Sequence, residues 1–573
     1  MNEMMNGLRR MDSSESRNST TAEHKDAALP LALDWLVAAA IVFTIMGATT
    51  GVDFRLGGVA IRSHSAERGL IAVGIVWAIR LLFGITSRPA WLTRMALLTA
   101  ITGSIATWFR FLLATIGGAD SYGYVSASRL IASGHLVAPA PIALWLSAAN
   151  RLAIASPLGW APAPDASGIV PTYPLGVSTL MAVFSMIGGP SAVFFVSPIA
   201  AAITLYLVYR LACEWFDRET ALFAAAIVAW NPLFITYAKQ PMSDMAATMW
   251  VTLALLLAVQ ASRASAFAAG LAAGAAVITR PALLVAAAFI PLAAHRGDSK
   301  RARFVIGAAG LAIGVIVQMV IQDRLFGSPF ASGYGTAADV FSTAHVKTNA
   351  GIFLRHGWDV VGVLWLPGLI IGWFASRPEP RGKPTILLGA VTLPYLFWLP
   401  FDHWETLRFL LPGLVALTVL IATGLMHIAR VPRNRAATAA MIGIFMAIIV
   451  AQSERLLRQS SVWDIASIEA RYPLAGEWIN VNTPPNSVVM ANQHSGSLRW
   501  YSKRETIRWD FVEPSALATT VGELQSHGAT VYVALEGDEV AMFDQRFGAV
   551  IDQLQVDHVG SIRNVSFRRL RKP

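Results

Sequence analysis

Long apolar runs separated by short polar connections dominate the chain. A hydrocarbon core about 30 Å thick needs about 20 mostly apolar residues per helix. On that measure, spans are predicted at 31–50, 69–86, 95–113, 191–212, 220–238, 244–262, 265–279, 282–295, 303–323, 354–374, 384–400, 408–428 and 436–452, about thirteen crossings. The apolar stretch 173–189 is too short for an uninterrupted span and is flanked by Pro174 and Pro190, so it is read as an interfacial or re-entrant helix.

The polar intervals divide the chain. Residues 1–28, with Ser-Glu-Ser and Asn-Ser-Thr-Thr runs and no apolar stretch, read as a disordered cytoplasmic tail rather than a cleaved signal peptide. Residues 29–452 form the membrane unit, interrupted by outer loops at 117–172 and 326–353. Residues 453–573 are long enough to fold alone. There, strand-like 487–492 and 530–535 alternate with helix-like 514–526 and 538–555, which predicts a small C-terminal α/β domain outside the membrane. The expected fold class is an α-helical polytopic membrane protein carrying that domain.

Composition agrees: of 573 residues, 55% are hydrophobic and 14% charged, with mean hydropathy +0.53, values soluble domains do not reach. The net charge of +10 comes from Lys and Arg scattered through short connections rather than gathered on one face, which argues against nucleic acid as a partner. Arg210, Arg218, Arg263, Arg301, Arg381, Arg430 and Arg433 fall on the side of the N-terminal tail, so the positive-inside asymmetry predicts a cytoplasmic N-terminus and an extracytoplasmic C-terminal domain. The expected setting is a bacterial inner membrane. Cys213 is the single cysteine, which excludes an intrachain disulfide and a thiolate metal cluster.

Ionisable residues recur at the ends of the apolar runs. Asp120 lies in Gly117-Gly-Ala-Asp-Ser-Tyr-Gly-Tyr124, Asp244 in Gln240-Pro-Met-Ser-Asp244, Arg280 in Thr279-Arg-Pro281, and Phe401-Asp-His-Trp-Glu-Thr-Leu-Arg408 holds four more. Provided 173–189 does not cross, the count of spans puts Asp120, Asp244, Arg280 and the 401–408 turn on one side.

The order of Gly118-Ala-Asp-Ser-Tyr-Gly-Tyr124, Pro171-Thr-Tyr-Pro-Leu-Gly176, Gln240-Pro-Met-Ser-Asp244, Gly270-Leu-Ala-Ala-Gly-Ala-Ala-Val-Ile-Thr-Arg-Pro281 and Trp404-Glu-Thr-Leu-Arg-Phe-Leu-Leu-Pro412 resembles the GT-C glycosyltransferases. Within them, the group of protein O-mannosyltransferases and lipid A aminoarabinose transferases is the nearest. The resemblance covers roughly 95–430. It implies a multi-spanning enzyme that takes a sugar from a polyprenyl-phosphate donor on the outer face and keeps an acidic residue in its first large outer loop, the place of Asp120. The acceptor, whether protein, lipid or glycan, is left open.

Such a transfer needs a base at the acceptor and cations around the departing phosphate. Asp120 is the candidate base, with helix capping as its alternative. Asp244 is the supporting carboxylate, with capping by Ser243 or Asp244 as the bland reading. Arg280 is the only cation between residues 264 and 294 and is assigned to the donor phosphate, with Arg408 as second candidate; snorkelling is the alternative for Arg280. Lys239 either faces a phosphate or snorkels. Tyr122, Tyr173 and Tyr334 are outer-loop aromatics that can stack on a sugar or merely anchor at the interface. His403 and Glu405 form either an ion-pair cluster with Arg408 or, with Asp402, a weak divalent-metal candidate. No Walker loop, Gly-x-Gly-x-x-Gly or His-Glu-x-x-His occurs. The rival classes are a secondary transporter, which would place its charges at mid-membrane on paired repeats, and a non-enzymatic scaffold with a binding tail.

Overall fold

The computed structural model describes residues 35–43, 46, 52–56, 59–63, 91–293 and 299–573. The tail 1–28 and the expected span 69–86 lie outside the described residues, as does most of the ground between 44 and 90.

Helices Pro190–Cys213, Lys300–Phe326, Trp404–Ala429 and Arg435–Gln459 are long and apolar enough to cross a membrane alone. Two bent pairs raise the number to six among the described residues. The expected count of about thirteen is not confirmed among the described residues, where several apolar runs are short or broken by local chemistry. The run 220–238 is two helices, Arg218–Ala229 and Pro232–Ala238, bent by 66°. Between them Asn231 accepts from the amides of Leu233 and Phe234, and Pro232 takes the first helical position, so the chain restarts instead of continuing. The run 354–374 is likewise broken at Gly362, φ +74°, into segments bent by 91°. Asp244–Val259, Arg263–Thr279 and Pro281–Ala293 are apolar but short. Helix Leu175–Gly188 has 14 residues, about 21 Å at 1.5 Å per residue, which is less than the hydrocarbon thickness.

Trp404–Ala429 is the central helix, 89% buried along its apolar window; Lys300–Phe326 and Arg435–Gln459, at 28% and 22%, form the rim. The rim faces are studded with exposed Val305, Ile313, Ile316 and Ile444, the pattern of helices facing lipid rather than water. Arg263–Thr279 packs on Lys300–Phe326 through Gly270 and Gly274 against Gly307, Gly310 and Gly314, backbone to backbone, as small-residue interfaces allow in membranes.

The C-terminal residues carry a five-stranded mixed sheet in the order Glu505–Ile507, Ser487–Met490, Thr530–Glu536, Val565–Arg571, Gln555–Ile562. The first two pairings are parallel and the last two antiparallel. The helix expected over 538–555 stops at Phe547, and a strand begins at Gln555. One face of the sheet shares its core with Ile142, Ala143, Leu146, Ile154 and Ala155 from the 117–172 loop. The sheet is therefore built onto that loop rather than standing apart from it.

Candidate active site

Four separate segments meet around two carboxylates and two guanidinium groups. Asp120 is the first residue of helix Asp120–Ala132. Asp244 opens helix Asp244–Val259, Arg280 follows helix Arg263–Thr279, and Arg408 lies in the 3-10 turn Trp404–Leu410 that leads into the central helix. Two close approaches bring these ends together. A side chain at Gly176 would collide with Thr279, so Pro174–Gly176 can lie directly on the Arg280 turn. Likewise the Tyr173 ring occupies the space where Gly123 has no Cβ, seating Tyr173 on the Asp120 helix.

The pairs are specific. Arg280 Nη2 donates to Asp244 Oδ1 at 2.7 Å, and its Nε donates to Ser243 Oγ at 3.2 Å. The Tyr124 hydroxyl donates to the same Ser243 oxygen at 3.1 Å. Arg408 Nη2 lies 3.3 Å from Asp120 Oδ2. The two guanidinium groups flank Phe409, at 5.2 Å and 5.1 Å from its centroid, and Arg408 also lies 5.3 Å from the Tyr237 ring. Nη1 of Arg280 is buried and makes no hydrogen bond. A buried charged donor without a partner is costly, and an arriving anion would supply one.

Aromatic rings continue from this centre. Tyr124 and Tyr173 are 5.0 Å apart, Tyr173 and Tyr334 6.0 Å, Tyr334 and Trp398 5.8 Å. Tyr395 stacks on Phe409 at 4.8 Å. Burial, then the nearby Asp120 carboxylate, lifts the Tyr124 and Tyr173 phenols well above their ordinary range. Both remain neutral hydrogen-bond donors at physiological pH.

Asp120, Asp244, Arg280, Arg408, Tyr173 and Tyr334 are thus brought into one constellation. Capping does not occupy the carboxylates: Ala119 and Ser243 are the N-cap residues of the two helices, and neither makes a side-chain cap bond. Other expected residues lie elsewhere. Tyr122 points away from Asp120 and packs where Gly496 lacks a side chain. Lys239 is fully buried; its ammonium donates to the Val462 carbonyl and lies 4.9 Å from the Trp463 ring. The structure places this group inside a helix junction, apart from the arginine pair, so it joins neither the constellation nor the membrane surface. His403 is exposed, 4.0 Å from Glu405, while Asp402 turns to Arg355 and His356. Among the described residues no three His, Cys, Asp or Glu side chains gather as metal ligands, and the two site carboxylates are already matched by guanidinium groups, a donor set that does not fit a divalent ion. Sequence reasoning missed Ser243 as a bridging acceptor, Tyr124, Tyr237, Tyr395 and Phe409.

The helical bundle with this constellation at its helix ends is similar in fold to solved structures of ArnT, and a family model matches part of the chain. The family model described as dolichyl-phosphate-mannose-protein mannosyltransferase matches residues 172–321. Among solved structures, the chain is similar to ArnT from Cupriavidus metallidurans in the apo state, with TM-score 0.54 and 14% identity over 82% of this chain and 97% of that one. The same protein bound to undecaprenyl phosphate gives TM-score 0.50 at 14% identity, again over 82% and 97%. The archaeal oligosaccharyltransferase AglB from Archaeoglobus fulgidus gives TM-score 0.47 at 13% identity over 84% and 75%. No curated protein matches the sequence significantly.

Proposed function

We propose that the chain is a membrane glycosyltransferase that moves a sugar from a polyprenyl-phosphate donor to an acceptor hydroxyl or amine on the outer face of a bacterial inner membrane, with inversion at the anomeric carbon. One observation carries this reading: two arginines and two carboxylates from four separate helix ends meet beside an aromatic wall, with Arg280 Nη1 buried and unbonded. The undecaprenyl phosphate named for the similar ArnT structure supports a lipid phosphate as the ligand.

In this mechanism the acceptor oxygen or nitrogen attacks the anomeric carbon and loses its proton to Asp120. The bond between the anomeric carbon and the phosphate oxygen breaks, and the electron pair leaves with the lipid phosphate. Charge grows on that phosphate in the transition state, so Arg280 and Arg408, held over Phe409 in a partly desolvated setting, act where stabilisation matters most. Asp244 and Ser243 hold the Arg280 fork in place. Tyr173, Tyr334 and Trp398 offer ring faces and hydroxyls to the sugar.

Purified protein incubated with a panel of radiolabelled polyprenyl-phosphate sugars and candidate acceptors tests the reading. Transfer by the wild type with loss in Asp120→Asn is expected. Full transfer by Asp120→Asn removes Asp120 as base, and turnover of no donor removes the class.

A further inference from the structure

The turn that delivers Asp120 is held from behind by C-terminal residues. The Ile116 amide donates to the Tyr501 hydroxyl at 2.9 Å. Gly117 lies flat on the Tyr472 ring, so close that a Cβ there would fall 2.0 Å from Tyr472 Cδ2. Gly118, at φ +57°, faces the Gln493 amide and the Tyr472 hydroxyl. Tyr472 is itself fixed: its hydroxyl accepts from Gln493 Nε2 at 2.9 Å and from Arg471 Nη2 at 3.2 Å, and Arg471 is paired with Glu469 and Glu536. Further along, the Leu158 amide donates to Ser495 Oγ at 3.0 Å, and Arg129 on the Asp120 helix lies 4.4 Å from the Trp500 ring.

Two successive glycines ahead of a catalytic carboxylate leave a turn with wide conformational freedom. Transfer needs that carboxylate held within a fraction of an ångström, and a misplacement of about 1 Å costs about a hundredfold in rate. The turn itself cannot supply this. We infer that Tyr472 and Tyr501 are positioning residues, and that the C-terminal helices carrying them, Arg471–Asn482 and Ser495–Ser502, brace the Asp120 turn instead of selecting the acceptor. Tyr472 is the keystone because its ring fills the face of Gly117 while its hydroxyl ties that face to Gln493 and Arg471. The inference rests on the reading of Asp120 as the base.

The test uses the full-length purified protein, the radiolabelled polyprenyl-phosphate sugar the wild type turns over, and folded fraction measured by thermal unfolding. Gly117→Ala, which drives a methyl into the Tyr472 ring, and Tyr472→Ala are each expected to lower kcat about tenfold to a hundredfold with donor KM unchanged. Tyr472→Phe keeps the ring and is expected to retain most of the rate. The double variant Gly117→Ala/Tyr472→Ala is expected to resemble Tyr472→Ala, since the collision is gone. Wild-type kcat in Gly117→Ala, a loss that merely follows the folded fraction, or an effect confined to acceptor KM would each overturn the brace. If Asp120→Asn is inactive while Gly117→Ala is intact, only the brace fails. If Asp120→Asn keeps full activity, the reading of Asp120 as base fails instead.

Discussion

Arg280 bonds Asp244 at 2.7 Å with one terminal nitrogen while its other terminal nitrogen is buried and makes no hydrogen bond. The asymmetry says that the pair is not a closed structural bridge. Asp244 neutralises and orients the guanidinium, and in the proposed function the free edge takes the donor phosphate.

Asp244 is 1% exposed, so removing Arg280 alone strands a charge in the bundle. Arg280→Gln is expected to destabilise the protein by about 3–5 kcal/mol as well as to abolish transfer. The double variant Arg280→Gln/Asp244→Asn should regain the stability and not the activity. Thermal unfolding in detergent, read beside donor turnover, separates the two effects. A double variant as unstable as the single one would show that Asp244 is not the group left stranded.

Arg408 and Asp120 behave differently because both are partly open, with side chains 21% and 31% exposed. A pair of that kind contributes only about 0–1 kcal/mol to stability. Arg408→Gln is therefore expected to leave the unfolding temperature nearly unchanged while kcat drops about a hundredfold, the usual effect of removing one donor from a developing oxyanion. A large loss of stability with intact kcat would make the pair structural.

Much of this constellation was legible in the sequence because charged residues at the ends of apolar runs are few, and Asp120, Asp244, Arg280 and Arg408 stood out one by one. Of the three tyrosines named, Tyr173 and Tyr334 join the constellation and Tyr122 does not, for a geometric reason. Tyr122 is two residues after Asp120 and so lies on the far side of the helix, whereas Tyr124 is four after it and shares its face. Recognising that the helix starts at Asp120 would have selected Tyr124. The breaks inside the apolar runs were less legible because hydropathy windows run across them, Asn231-Pro232 above all. The surroundings of Lys239 were not legible because its partners, the Val462 carbonyl and Trp463, are some 220 residues away and invisible to local pattern.

The same helix geometry yields a paired test. The Tyr124 hydroxyl holds Ser243, which holds Arg280 Nε. Tyr124→Phe should lose a hydrogen bond of about 1 kcal/mol, or roughly fivefold in donor affinity. Tyr122→Phe should leave donor affinity unchanged. Binding of the lipid phosphate, titrated against both variants, checks the order; equal effects would mean that the face of the helix does not matter.

Asp217 offers a pH dependence away from the site. Burial would raise its carboxyl, but Arg430 and the Thr220 amide outweigh that and hold it down to about 2. An acid whose folded pKa lies below its unfolded value of about 3.9 stabilises the fold above that value. The contribution is lost as pH falls from about 4 towards about 2. With side chains 48% and 42% exposed, the pair is screened by solvent and salt, so the effect should be small and shrink at high ionic strength. Unfolding temperature followed over that acid range should fall further for the wild type than for Asp217→Asn; parallel curves would assign the acid limb to other groups.

Lys239 supplies the sharpest contrast between structure and chemistry. Its side chain is fully buried, its ammonium donates to the Val462 carbonyl between the Trp463 and Phe111 rings, and its own carbonyl accepts from the Leu113 amide at 2.9 Å. Those contacts fasten the end of the Pro232–Ala238 helix to the residues before the Asp120 turn and to those after Arg435–Gln459. Lys239→Met keeps the apolar stem but strands the Val462 carbonyl, which should cost about 1–3 kcal/mol. Donor KM, measured on the folded fraction, should not move, because the ammonium faces a carbonyl and two rings rather than the arginine pair. A raised donor KM at unchanged unfolding temperature would return Lys239 to the phosphate and require its side chain to leave this junction when the donor binds.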